Sequence, residues 1–491
     1  MARQSRFNRR TFVKGTALGA TGAGVMRLAP QPVRGAAQDQ ITISWWEQFP
    51  VGLNESIRTG YAEAHPNVEI NLTSYPPNEM NQALQLAYQS GQLPDITTTP
   101  GAAGSSIQNL VRSGWFQPLT NGEQLRAVIP AGTLFEGLTL FGGQVYSLPI
   151  FSSRQYVTLN WFNTQLMEGA GIDPATGLAT WDGFRQAARA ITQSSGSAFG
   201  WIQGINFPDR MAAHVSELAQ VAGAPGETDP LTGDYTFGTE PFAQALEFLL
   251  SLQQDGVLFP AALSLDARNA RARWASGAGG MFFDGPWNIG VVKQDFEPFL
   301  GQVGIAPIPV PDASTTNYIH VGPPAGTFWV STTSAHPDVA SDILGQMTTP
   351  EYYRTLAERM DQPPLDLNAV AQANVHPTYQ QAMTYFQDRV RLAPSPVVRN
   401  PAVADVTAEM QSIQPDLGQI VIGTLTGDVS DYRMALQQYA DQMTAERTRA
   451  IGVVQANGGQ VSVDDWVFPD WLPDQDYASA PTATPQATPI A

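Results

Sequence analysis

Hydrophobic and polar positions alternate, then change to helical spacing, several times in the first hundred residues. Residues 41–46 and 68–72 alternate apolar and polar side chains, which is typical of half-buried strands. Helical spacing over 53–64 predicts a helix between them, and Asn78 is expected to cap a second helix. Residues 91–96 return the chain to a strand. This β-α-β-α-β order predicts a three-layer α/β domain.

A second group of elements is predicted after Pro149. A strand is expected at 155–160 and a helix is expected to begin behind Thr180, which can cap it. Later strands are expected at 303–307 and 328–331. Helices dominate the remainder, at 338–347, 350–358, about 377–386, 402–412 and 431–450.

The stretch Gly280–Trp287 combines a short buried strand with a rigid turn. Three apolar residues precede Asp284-Gly285-Pro286, and proline fixes φ at about −65°. The turn presents Trp287 at the end of a strand, where α/β proteins collect their ligand-binding groups. A large aromatic ring in this place is suited to form one wall of a cleft.

Composition narrows the possible chemistry. The chain has 491 residues, enough for two or three domains, and 43% of them are hydrophobic. The absence of cysteine excludes disulfides, thiolate metal sites, a cysteine nucleophile and a lipid-anchored N-terminal cysteine. No Gly-x-Ser-x-Gly or His-Glu-x-x-His motif is present, and the five histidines are scattered. We therefore expect no catalytic residue, no metal site and no cofactor.

The N-terminal 37 residues contain seven Lys or Arg and no acid. Asn8–Lys14 resembles the twin-arginine export signal, and Gly35–Ala37 offers small residues for cleavage. Gly15–Met26 is shorter than the roughly 20 residues that span a bilayer. Alternative interpretations of this N-terminal segment are a disordered basic tail and an amphipathic transit peptide. We expect a signal peptide over 1–37 and a soluble mature protein in the periplasm or at the outer face of the cytoplasmic membrane.

The rest of the chain is acidic, with 19 basic and 44 acidic residues. Nucleic acid is excluded as a partner because its binding requires a basic face. The Pro/Thr-rich end of the chain predicts a disordered tail over 473–491.

Several short landmarks follow one another in a characteristic order. They are Trp45-Trp46, His65-Pro66-Asn67, Gly91–Asp95, Gly143–Pro149, Leu159-Asn160, Gly171-Ile172, Thr180-Trp181, Gly280–Trp287 and His336-Pro337-Asp338. Together they resemble the extracytoplasmic solute-binding proteins of ABC transporters, in the sugar-binding family that includes maltose-binding protein. The resemblance covers about residues 39–455.

The resemblance implies an α/β, two-lobed periplasmic-binding-protein-like fold of type II. Each lobe is then a mixed sheet flanked by helices, and the ligand cleft lies between the lobes. The implied N-terminal lobe is 39–150 plus about 306–331, and the C-terminal lobe is 151–305 plus about 332–472. Crossings between the lobes are expected near Pro149–Ser152, Ala306–Pro309 and Val330–Thr333.

The function implied by the resemblance is reversible capture of a sugar or oligosaccharide by lobe closure. The partners are then a carbohydrate and the permease subunits of an ABC importer, and a monomer is expected. A secreted glycoside hydrolase remains an alternative, because two acids flanking a bond suffice for that chemistry. An adhesive or scaffold protein is a second alternative.

A sugar is bound by stacking on aromatic rings and by hydrogen bonds to its hydroxyls. Trp46 with Glu47 or Gln48 ends the first strand, and Trp46 either meets the ligand or packs in the core. Trp287 matches the stacking aromatic of the resembled family. Trp329, near an expected crossing, is a third candidate.

The remaining candidates sit at turns and at expected crossings. Asp284 either meets the ligand or caps its own turn. Arg154 either favours an acidic sugar or forms a surface ion pair. The full set of candidates adds Gly101, where the family often has an acid or an aromatic, and Ser153, Asn206 and Arg399.

Overall fold

The computed structural model of the protein describes residues 40–49, 52–75, 77–99 and 107–477. The predicted signal peptide, the candidate Gly101 and all but the first five residues of the expected tail lie outside these residues. The described strands are β1 Ile41–Glu47, β2 Val68–Ser74, β3 Ile96–Thr98, β4 Phe116–Gln117, β5 Leu140–Phe141, β6 Gln144–Val145, β7 Ser147–Leu148, β8 Leu159–Asn163, β9 Phe199–Trp201, β10 Gly279–Asp284, β11 Val303–Ala306, β12 Ile319–Val321, β13 Phe328–Ser331 and β14 Val390–Leu392.

Helices account for most of the remaining described chain, and none of those described is long and apolar enough to cross a membrane. They are α1 Glu55–Ala64, α2 Pro77–Gln89, α3 Ile107–Arg112, α4 Gly122–Val128, α5 Thr164–Gly169, α6 Pro174–Gly177, α7 Trp181–Ser195, α8 Pro208–Val221, α9 Glu240–Gln254, α10 Ala267–Ala275, α11 Asn288–Asp295, α12 Pro337–Gly345, α13 Pro350–Arg359, α14 Asn368–Ala371, α15 Pro377–Arg389, α16 Pro396–Arg399, α17 Val403–Glu409, α18 Leu417–Thr426 and α19 Tyr432–Ala456. Short 3-10 helices lie at Ala262–Ser264, Glu297–Gln302, Gln346–Thr348 and Val463–Trp466.

The first sheet has the strand order β2-β1-β3-β13-β4, and β7 also pairs with β13. β1 runs parallel to β2 and β3, which confirms the predicted β-α-β-α-β unit. β13 is antiparallel to its neighbours, so a late strand returns to the first sheet. The second sheet has the order β11-β8-β10-β9, with β9 parallel to β10 and the other pairs antiparallel.

Close helix-to-sheet packing shapes the second sheet. Thr180 caps α7, as predicted, by accepting the amide N–H of Gly183 at 3.1 Å. Where α7 crosses β9, a methyl group on Gly200 would lie 2.1 Å from the carbonyl oxygen of Ala188. Only glycine leaves room for this approach of helix and strand backbones.

Each of these two sheets lies at the centre of its own hydrophobic core. The first core joins the first sheet to α1, α12 and α13, and it encloses Trp45 and Phe328. The second core joins the second sheet to α7, α8, α9 and α15, and it encloses Phe184 and Phe283. A third cluster, which also contacts the first sheet, contains Met80, Leu84, Ala87, Leu93, Leu110, Trp115, Phe116 and Trp329.

The chain passes between the sheets at places that differ in part from expectation. Residues 149–158, the first crossing, connect β7 of the first sheet to β8 of the second, so β8 starts at Leu159 rather than at the expected residue 155. After β11 the chain first forms β12, which pairs with β14, and it enters β13 through 322–327. The expected direct return near Ala306–Pro309 is therefore replaced by a later one.

The third crossing also lies later than Val330–Thr333. Ser152 donates its amide N–H to the carbonyl of Pro363 at 2.9 Å, and Leu365 donates to Ile150 at 2.8 Å, so the chain passes here beside the first crossing. The cause is the apolar face of α12 and α13, which packs into the first core rather than with the second lobe. The side chains involved are Ala340, Ile343, Leu344, Tyr352, Tyr353 and Leu356.

Candidate functional site

The carboxyl ends of β1, β2 and β3 meet at one edge of the first sheet. Glu47 pairs with Ser74 at the ends of β1 and β2, and Tyr75 donates its amide N–H to the carbonyl of Glu47 at 2.8 Å. The ring of Tyr75 lies 5.0 Å from the ring of Trp46. Two half-buried aromatic side chains therefore adjoin one another at this edge.

Trp45 and Trp46 point to opposite faces of the first sheet. β1 pairs with β2 without a bulge from Ile41 to Glu47, so neighbouring side chains alternate, as the sequence predicts. Trp45 is fully buried and meets Phe328 edge to face at 5.5 Å. Trp46 is the half-buried one and packs against the third cluster.

Glu47 shares the face of Trp45 and is fully buried. Its Oε2 accepts the side-chain N–H of Asn54 at 2.5 Å, and the hydroxyl of Tyr352 donates to Oδ1 of Asn54 at 2.7 Å. Its Oε1 has no hydrogen-bond partner among the described residues. Burial raises the pKa of Glu47 to about 7, against the Asn54 hydrogen bond and the charge of Arg359.

The raised pKa of Glu47 predicts a pH-dependent stability. The folded protein holds this proton up to about pH 7, whereas the unfolded chain releases it near the ordinary value of 4.5. The free energy of unfolding should therefore fall by about 3 kcal/mol as the pH rises between these values. Glu47→Gln should remove the contribution of Glu47 to this fall, so its stability relative to the wild type is highest at pH 8.

Urea unfolding of both proteins from pH 4 to pH 8 measures this difference. Glu69→Gln, at an exposed position of β2, is the control and should reproduce the wild-type profile. Parallel profiles for the wild type and Glu47→Gln would show that Glu47 does not titrate in this range.

Asp284, at the end of β10, lies at the centre of a buried ion-pair network. Its Oδ2 accepts Nε of Arg271 at 2.9 Å and Nη2 at 2.5 Å. Its Oδ1 accepts the amide N–H of Gly285 and the indole N–H of Trp287, both at 2.9 Å, and lies 3.3 Å from Nη1 of Arg210. Asp284 thus caps its own turn and also orients Trp287.

Trp287 is half-buried, unlike Trp161, Trp201 and Trp274, which are fully enclosed in the second core. Its ring lies against Gly285, where a methyl group would come within 2.3 Å of ring carbons. The guanidinium carbon of Arg210 lies 4.7 Å from the ring centroid. The turn predicted from Asp-Gly-Pro therefore holds the ring from several sides.

Both strand-end regions border the first crossing. Asp284 pairs with Leu159, the first residue of β8 after that crossing. On the other sheet, Phe49 follows the end of β1, and its ring lies 5.6 Å from that of Phe151 in the crossing. The ends of β1 and β10 therefore adjoin the segment that connects the two cores.

A chain of buried polar side chains connects β10 to the first crossing. Gln203 donates to the carbonyl of Phe283 at 3.2 Å and accepts its amide N–H at 3.1 Å, which sets the orientation of the side-chain amide. Its Nε2 faces Nε2 of His214 at 3.0 Å, and Nδ1 of His214 lies 2.9 Å from the hydroxyl of Thr158. Burial lowers the pKa of His214 well below its usual value, so a neutral ring accepts from Gln203 and donates to Thr158.

Glu217 completes this chain. Its carboxylate accepts the hydroxyl of Thr158 at 2.5 Å and the amide N–H of Val157 at 2.8 and 3.0 Å. Burial raises the pKa of Glu217 to about 7, against these hydrogen bonds. Helix α8, which carries both His214 and Glu217, is thereby attached to the crossing.

Two candidate ligand-binding residues, Arg154 and Arg399, contact the C-terminal part of the described chain. Arg154 forms an ion pair with Asp476, with Nη1 and Oδ1 2.9 Å apart. Arg399 donates to the carbonyl of Val467, and its guanidinium lies 5.0 Å from the ring of Phe468. Both arginines are thus engaged by the C-terminal segment 467–476, which sequence reasoning had not connected with either.

The other candidates differ in exposure. Trp329 is only 1% exposed and packs in the third cluster, 5.3 Å from the ring of Phe116, so it presents no open ring face. Asn206 is exposed, just before α8, at the edge where β9 and β10 end in parallel. Gln48 and Ser153 are half-buried, the first after β1 and the second in the first crossing.

Sequence reasoning missed Arg210 and Arg271. Arg210 stands in the first turn of α8, two residues after Pro208 and shortly after a strand, so its position at a strand-end edge could have been inferred. Arg271 lies in the middle of α10 and is buried against Asp284. No local pattern marks a helical arginine of this kind, because its partner is 13 residues away in another element.

Comparison with known proteins assigns the family. The model of a family described as bacterial extracellular solute-binding protein matches residues 46–354, from β1 into α13. The chain belongs to this family. The match to the bacterial extracellular solute-binding proteins confirms the resemblance inferred from the landmarks. No curated protein sequence matches the chain.

Solved structures of solute-binding proteins share the fold. A solute-binding protein of Thermotoga lettingae bound with alpha-D-tagatose is 18% identical with a TM-score of 0.60, over 83% of this chain and 100% of that one. The GacH receptor of Streptomyces glaucescens, solved unliganded and with acarbose, is 18% identical with a TM-score of 0.61, over 84% and 99%. Maltose-bound MalE3 of T. maritima is 17% identical with a TM-score of 0.61, over 82% and 99%. The predicted two-lobed α/β fold of the periplasmic-binding-protein type is confirmed.

Proposed function

We propose that the protein is the substrate-binding component of an ABC importer and reversibly captures a sugar or oligosaccharide between its lobes. The observation that carries the proposal is Trp287, a half-buried indole held at the end of β10 by its hydrogen bond to Asp284. Trp46 and Tyr75 supply aromatic surface at the end of β1. Structural relatives solved with tagatose, acarbose and maltose support a sugar as the ligand.

Closure of the lobes about the connecting segments supplies the mechanism. The segments are 149–158, 322–327 and the residues around Pro363 that hydrogen-bond to the first crossing. Hinge closure around the ligand is characteristic of periplasmic binding proteins. The closed monomer would then present a changed surface to the membrane permease, which receives the ligand. Export by the twin-arginine route belongs to the same proposal, and cell fractionation checks it.

Trp287→Ala should weaken sugar binding by about 1–3 kcal/mol, because a buried aromatic contact is lost. A thermal-shift screen of mono-, di- and oligosaccharides, sugar acids and glycerol phosphates identifies the ligand. Calorimetry then compares the wild type with Trp287→Ala. Trp466→Ala, a half-buried tryptophan in the 3-10 helix near the C-terminus, is the control and should retain wild-type affinity.

Two outcomes would contradict this assignment in different ways. Unchanged affinity of Trp287→Ala would remove Trp287 from the site while leaving sugar capture intact. Release of reducing ends from oligosaccharides at a catalytic rate would favour the hydrolase alternative instead.

A further inference from the structure

Arg210 lies beside the end of β10 in the second lobe, and most of its hydrogen-bond donors have no partner among the described residues. Its side chain is 17% exposed, and its one recorded hydrogen bond among the described residues is the 3.3 Å contact to Asp284. A guanidinium has five N–H donors in a planar fork. Its guanidinium carbon also lies 4.7 Å from the ring centroid of Trp287, so these donors adjoin the proposed stacking surface.

The carboxylate of Asp284 has no acceptor position left for a short hydrogen bond from Arg210. Each carboxylate oxygen already accepts two shorter hydrogen bonds, from Arg271 on Oδ2 and from Gly285 and Trp287 on Oδ1. A carboxylate offers about four acceptor positions, so the longer contact to Arg210 is a fifth. Arg271, by contrast, is buried, and it holds Asp284 through two donors while its Nε also donates to Oδ1 of Asn288 at 3.0 Å.

The other acid that faces Arg210 accepts no hydrogen bond from it among the described residues. Glu217 attracts Arg210 electrostatically, but its oxygens are used by the backbone of Val157 and the hydroxyl of Thr158. Asp209, its neighbour in sequence, is exposed to solvent. Asp284 and Glu217 both attract Arg210, and Asp361 attracts Arg271. What remains beside Trp287 are the N–H donors of Arg210 that none of these acids accepts among the described residues.

We propose that Arg210 binds a carboxylate of the ligand, so that the cleft selects acidic sugars, such as uronic acids, over neutral ones. This inference rests on the proposed capture of a sugar and names its chemical class. The planar fork matches a carboxylate with two parallel N–H···O bonds, while the pyranose face stacks on Trp287. Arg210 stands in the first turn of the fourteen-residue helix α8, whose dipole further favours an anion there.

The experiment compares matched pairs of ligands by calorimetry at low ionic strength. The pairs are glucuronate with glucose, galacturonate with galactose, and the corresponding di- and trisaccharides. The wild type should bind the acidic member of at least one pair tenfold or more tightly, and added salt should reduce this preference. Arg210→Gln should lose at least tenfold in affinity for the acidic sugar and change the affinity for its neutral partner less than threefold.

Two further variants separate ligand binding from structure. Arg210→Lys keeps the charge without the fork and should retain part of the preference. Arg273→Gln, at an exposed position of α10 in the same lobe, removes one positive charge away from the cleft and should behave as the wild type. Thermal melts of all variants show that they are folded.

Different results would overturn the inference and the proposed function. Equal or tighter binding of the neutral members by the wild type, or equal weakening of both members by Arg210→Gln, would overturn the role of Arg210 and leave sugar capture standing. Absence of binding by every sugar in the set, acidic or neutral, would overturn sugar capture itself.

Discussion

Asp284→Asn should lower the free energy of unfolding by about 3–5 kcal/mol, the cost of removing one partner from a buried ion pair. Asp284 is 1% exposed, and two guanidinium groups lie against it. The asparagine side chain supplies no charge, so Arg271 and Arg210 lose the carboxylate that both contact. The indole of Trp287 also loses its carboxylate acceptor, so ligand affinity should fall together with stability.

Urea unfolding followed by tryptophan fluorescence measures this change. The control is Asp295→Asn, at the exposed end of α11 in the same lobe, which should stay within about 0.5 kcal/mol of the wild type. A loss in Asp284→Asn no larger than in the control would mean that the arginines do not depend on this carboxylate.

Gly200→Ala should destabilise the second lobe by about 3 kcal/mol, at the upper end of the range for an overpacked core. Its new methyl group would meet the carbonyl oxygen and the α-carbon of Ala188 at 2.1 and 2.4 Å. These are backbone atoms of α7, so no side-chain rotation relieves the overlap. Helix and strand must separate, although Gly200 itself needs no unusual φ.

The control for this prediction is Gly301→Ala. No atom lies within 4 Å of a methyl group at Gly301, so this change should leave the thermal midpoint nearly unaltered. Equal midpoints for the two variants would show that α7 does not press against β9 as closely as described.

Local patterns were sufficient for much of the fold. The alternation in β1 directed Trp45 and Trp46 to opposite faces of the sheet, because successive side chains of a strand point to opposite sides. The tertiary structure decided that Trp45 is the fully buried one. The cap at Thr180 and the turn after β10 likewise depend on neighbours within a few residues. The division between lobes was harder to predict from the sequence. Helices α12 and α13 could join either core, and apolar surfaces distant in sequence decide which.

The sequence by itself determined the family, the α/β class, the strand that carries Asp284 and the aromatic residue at its end. The tertiary structure alone decided which charges surround them. Arg271 and Arg210 come from two different helices, and Arg154 and Arg399 are instead engaged by the C-terminal segment. A hydrogen bond or ion pair forms between groups that folding brings together, and their separation along the chain, from 13 to 322 residues here, leaves no periodic signal.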